Sequence, residues 1–182
     1  MHALLEAWRP ERKCFKLGRR EVPFSYYDVA MLTGLPATGK RIAFERGEGA
    51  YEVEEVLKGA MEERVVRERE RWRTARMDMR IYGNYVSVLL DLCRVHNTVD
   101  SVGLFTKLYS LLVVSGLLFP RTPGGVAWDL VPVVDDVGGL EEYNWSEAVW
   151  EFLVDAMAEC QEKMGSMKNL KINGFTMILQ VM

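Results

Sequence analysis

Residues 104–119 read LFTKLYSLLVVSGLLF, an apolar run relieved only by Lys107 and a few hydroxyls such as Ser110 and Ser115. A stretch like this has to leave water. It is shorter than the roughly 20 residues a membrane span needs, so it predicts a helix apolar on all sides and buried in a core. A chain of 182 residues is long enough to build one well-covered core and short for two full domains. The expectation is therefore one compact domain, mainly α, with this helix buried in it.

Other segments supply partners for it. Residues 84–97 (NYVSVLLDLCRVHN) read as a second helix, joined to one over 100–119 by a turn at Asn97–Asp100, with Asp100 or Ser101 as the cap. Residues 146–164 are strongly amphipathic, with Val149, Trp150, Leu153, Val154 and Met157 as the apolar stripe. Residues 52–80 form the longest helical candidate, with Glu63–Arg67 and Arg64–Glu68 as i,i+4 pairs. A short helix over 3–8 stops before Pro10. Residues 14–25 (CFKLGRREVPFS) then read as a small hairpin, whose Pro23 keeps its second strand at an edge. Ser25 and Asp28 form a short capping box before a helix that Gly34 closes. PRTPGG at 120–125 is a break, and 126–134, where Pro132 points to a sheet edge, reads as a further short extended segment or a loop. The apolar ending FTMILQVM starts another helix, which suggests a fragment of a longer chain.

The motif GLPATGKR at 34–41 has the G-x-x-x-x-G-K spacing of a phosphate-binding loop. A true one needs a buried strand before its first glycine and a helix opening at the lysine. Here a capped helix precedes Gly34, RIAFERGEG follows Lys40, and Arg41 replaces the hydroxyl residue that would hold Mg²⁺. The motif reads as helix cap plus turn. Cys93 and His96 lack two further ligands with zinc spacing. Asp135–Asp136 and Glu141–Glu142 are neighbours in sequence without being a shared proton site. No catalytic, cofactor or metal residue is assigned, and the expectation is a protein that is not an enzyme. Three dispersed cysteines (Cys14, Cys93, Cys160) and the absence of a secretory pattern predict an intracellular chain without membrane attachment.

Charge is unevenly spread. Residues 1–80 carry 17 Lys and Arg against 14 Asp and Glu, and residues 81–182 carry 6 against 12. Seven arginines and no lysine lie between Arg64 and Arg80. Guanidinium makes bidentate contacts to phosphate or carboxylate, so Arg69, Trp72, Arg73 and Arg76 form the candidate face for a partner or a nucleic acid. Interleaved acids (Glu62, Glu63, Glu68, Glu70, Asp78) favour a solvated, salt-bridged helix over that reading.

The N-terminal third resembles the plant mobile domain. The matching residues are Trp8, Arg9, Pro10 and Glu11, then Phe15 and Leu17, then Asp28, Val29, Ala30, Gly34, Leu35, Pro36 and Gly39. YNWSEAVWEFL and GFTMILQVM are similar to that family's closing segments, whereas GRREV departs from its usual turn. The resemblance implies one domain over 1–182, carried by transposons and by host genes derived from them. It also implies a nuclear setting and roles in transposon function or silencing. Together these readings give a non-enzymatic interaction or scaffold domain without a cofactor, binding other proteins. The alternative is a nucleic-acid-binding domain using the arginine face of 64–80.

Overall fold

Hydrogen bonding at Ser25 shows how the N-terminal elements are fixed. In the computed structural model, which describes residues 2–45, 49–71, 85–121, 125–164 and 171–181, the Asp28 carboxylate accepts from the Ser25 N–H at 2.7 Å and from its hydroxyl at 2.8 Å. This cap opens α2 (Tyr26–Thr33), and Gly34, left-handed at φ 73, closes it by donating to the Ala30 carbonyl at 2.8 Å. Before it come α1 (His2–Ala7), β1 (Trp8–Arg9), β2 (Cys14–Leu17) and β3 (Arg20–Pro23), an antiparallel sheet in that order. Leu17 pairs with Arg20 and Phe15 with Val22, so the hairpin turns on Gly18–Arg19 with Gly18 at φ 64. Glycine at the first turn position is what a two-residue loop of matching twist demands. Trp8, expected in the first helix, instead pairs with Phe15 as a third strand.

The chain divides into two compact units, Met1–Ile42 with Glu141–Met182, and Ala43–Leu140. In the first, α7 (Trp145–Lys163) packs on α1 and α2, and α8 (Ile178–Val181) follows near the end. Trp8, Phe15 and Phe24 cluster with ring centroids 4.8–6.2 Å apart and are buried with Val29, Val149, Leu153 and Met157. Polar ties from α7 hold the N-terminal elements. Trp150 donates its indole N–H to the Phe24 carbonyl at 3.0 Å, and Gln161 donates to the carbonyls of Leu5 and Trp8. The mainly α fold with a small N-terminal hairpin is as the sequence predicts.

The second unit holds α3 (Glu52–Arg71), α4 (Tyr85–Val95), α5 (Val102–Val113) and α6 (Val131–Asp135). After α5 the helix widens into a π turn over Val114–Leu118, marked by Phe119 N–H bonding the Val114 carbonyl at 2.8 Å. The segment 126–134 is a correction: it is helical, as a 3-10 turn at Trp128–Leu130 running into α6. Pro132 sits in the first turn of α6, where a helix has no N–H to lose, so the residue read as an edge-strand marker is a helix starter. Among the described residues, further strand-like pairing consists of two isolated bridges, Lys40 with Tyr143 and Arg121 with Gly125.

Candidate interaction surfaces

The arginine face can be followed only in part. Arg69 lies on the α3 backbone with its side chain outside the described residues, and Trp72, Arg73 and Arg76 lie outside them altogether. The pairs Glu63–Arg67 and Arg64–Glu68 involve side chains outside them too. Arg64 is described: its guanidinium donates to the Ser87 hydroxyl of α4 at 2.7 Å.

The phosphate-loop look-alike has a structural use. Gly34 caps α2, and Gly39 runs at φ 125 beside the Glu142 carbonyl. Lys40 N–H donates to the Glu142 carbonyl at 2.7 Å, and Asn144 N–H donates to the Lys40 carbonyl at 2.9 Å. The Lys40 ammonium pairs with the Glu142 carboxylate, holding it below the usual carboxylate range. Arg41 donates through Nη2 to both carboxylate oxygens of Glu151, at 2.9 and 3.1 Å. Residues 41–45 are not helical, so the backbone N–H groups that would surround a phosphate are not gathered here. Sequence reasoning saw the cap at Gly34 but not the clamp, whose halves are a hundred residues apart.

Cys93 is buried in α4 and its thiol is pushed up by desolvation, while His96 follows the helix end. Among the described residues no three metal-binding side chains converge. Asp135 meets Lys107 at 3.3 Å and Glu142 meets Lys40, so one member of each adjacent acid pair is held by a lysine.

Two surfaces stand out among the described residues of the second unit. The first is the outer side of α5. The helix over Val99–Leu118 is by length and composition apolar enough to cross a membrane, and only 28% of its apolar stretch is buried. Leu108, Leu111, Val114 and Leu118 face inward, and Lys107 turns toward Glu52 at 3.2 Å and Asp135 at 3.3 Å. Burial and hydrogen bonding of this ammonium oppose each other, and the two carboxylates prevail, raising its pKa. Outward stand Val99 at 91% exposure, Val102 at 56%, Tyr109 at 52% and Leu117 at 45%. Phe105 stacks on Tyr109 at 5.9 Å between centroids. The run expected to be wholly buried is thus buried along one stripe and bare along another. The turn before it is tied by hydroxyls: Ser101 donates to the His96 carbonyl at 2.8 Å, and its hydroxyl lies 2.6 Å from that of Thr98.

The second surface is a groove of about 750 Å³ between α3 and α4. Val56, Gly59 and Ala60 line it from α3, and Val88, Leu92 and Val95 from α4; its polar groups are Glu63, Arg64, Asp91 and His96. Sequence reasoning placed both segments on helices but carried no signal that two helix faces leave a gap.

A family model described as a domain of unknown function (DUF8566) matches residues 1–180. No curated protein and no solved structure matches the chain. The match corrects the resemblance to the plant mobile domain, for which no match is found. The physical reason is visible in the fold. Ser25 and Asp28 cap α2, Gly34 ends it, and Trp8 and Phe15 fill the core. Such residues answer the demands of caps, turns and packing wherever a hairpin precedes a short helix. The nuclear and transposon expectations rested on that resemblance and are not carried forward.

Proposed function

The chain belongs to the DUF8566 family, and we propose that it is a non-enzymatic protein-interaction domain whose docking surface is the outer side of α5. The observation that carries this is the bare apolar stripe Val99, Val102, Tyr109 and Leu117 on a helix otherwise anchored to its neighbours. Apolar side chains left exposed at intervals along one helix are a candidate interaction site, and aromatic anchors such as Tyr109 are favoured at one. Between Asp100 and Arg121 the one charged side chain is Lys107, and it turns to Glu52 and Asp135, so nothing charged interrupts the stripe. α5 packs on α3, α4 and α6. That anchorage leaves one bare side, the shape that a protein partner presenting an amphipathic helix fits.

The test is affinity capture from source cells with nuclease present, comparing the native chain with the Val102→Glu, Tyr109→Glu double variant. Both positions are solvent-facing, so the variant should unfold within a few degrees of the native chain. A protein retained by the native chain and lost by the variant is the expected result. Retention of the same proteins by both, or co-sedimentation of the native chain with neutral lipid vesicles alone, contradicts the reading.

A further inference from the structure

The groove between α3 and α4 has a chemistry separate from the α5 surface. Its walls are apolar, from Val56 and Ala60 on one side to Leu92 and Val95 on the other, and Gly59 leaves one wall open: a Cβ there would meet nothing within 4 Å. Its volume, about 750 Å³, falls in the range of small-molecule sites. At one end the half-buried Arg64 reaches across to Ser87. A guanidinium carries five N–H donors, and among the described residues the partner of Arg64 is this neutral hydroxyl.

Two acids, Glu63 and Asp91, stand on the rim. Glu63 is exposed, and Asp91, also exposed, pairs with Arg94 at 3.3 Å. Water screens both, whereas a half-buried cation keeps more of its field. His96 lies at the far end with Val95 and Val56. From Val56 to Arg64 is eight residues of helix, about 12 Å at 1.5 Å per residue, the length of a chain of roughly eight to ten carbons.

We propose that this groove binds a small amphipathic carboxylic acid, its carboxylate forked onto Arg64 and its apolar chain lying between α3 and α4 toward Val95. Two parallel N–H to carboxylate bonds are the geometry for which guanidinium is suited. The groove is lined by both helices, so occupancy holds α3 and α4 together.

Isothermal titration of the full chain with octanoate, butyrate and octan-1-ol tests this. Octanoate binds, while butyrate and octan-1-ol each bind at least tenfold more weakly, one lacking the chain and the other the charge. Arg64→Gln reduces octanoate affinity to that of the alcohol. Gly59→Leu fills the groove and removes octanoate binding with the thermal midpoint unchanged or raised, because a helical glycine is replaced by a better helix former; loss through unfolding is thereby excluded. Equal affinity for octanoate and octan-1-ol, unchanged octanoate binding in Gly59→Leu, or no heat with octanoate in the native chain each overturns the proposal.

Discussion

At Gly39 a methyl group would lie 2.3 Å from the Glu142 carbonyl oxygen, on a backbone at φ 125 that side chains rarely adopt. The bridge from Lys40 to Glu142 and Asn144 depends on that close approach. Gly39→Ala is therefore expected to lower stability by about 3 kcal/mol or more, the sum of backbone strain and broken hydrogen bonds, read from urea unfolding of the native and variant chains. Gly59 is the opposite case: it is helical, exposed and meets nothing, so Gly59→Ala should stabilise by about 1 kcal/mol in the same assay. The Lys40–Glu142 pair also sets an acid dependence. Lys40 depresses the Glu142 pKa in the folded chain. The contribution is present above the unfolded carboxylate range and is lost as pH falls through the lowered folded value. The thermal midpoint of the native chain should exceed that of Glu142→Gln at pH 7, and the gap should close toward pH 3. Cys93 and Cys160, buried and with thiols pushed up, should react with Ellman's reagent at pH 8 only after denaturant is added.

At the scale of elements, what could be read from the sequence was what short-range chemistry decides. The hairpin with its edge Pro23, the Ser25–Asp28 cap, the Gly34 stop and the apolar stripe of α7 all rest on neighbours a few residues apart. Ser25→Ala should accordingly cost about 1 kcal/mol of stability. α6 was misread because proline is compatible with both an edge strand and a first helical turn, and the residues around Pro132 alternate as either would. β1 escaped notice because two residues cannot show a period, and Trp8 joins the sheet through its partner Phe15. The candidate surfaces were less legible still. LFTKLYSLLVVSGLLF declares itself apolar, but which of its sides finds a neighbour depends on α3, α4 and α6, all outside the run. Arg64 stood out as one of seven arginines; that it reaches Ser87 across a groove is a tertiary fact.

For the whole molecule, the organisation is discontinuous: the first and last segments of the chain build one unit and the middle builds another. Long-range ties such as Lys40 to Glu142, and α2 against α7, leave no local trace in composition or spacing. The phosphate-loop look-alike is used to hold this architecture, and the bare side of α5 is the feature from which the proposed function is argued. Photocrosslinking from benzoylphenylalanine placed at Tyr109 in the full chain, in extracts of source cells, interrogates that side directly, with the same group at exposed Glu55 of α3 as control. The account predicts a discrete protein adduct from position 109, absent from position 55 and lost on adding Val102→Glu. Adducts identical at both positions, or none from 109, would contradict it.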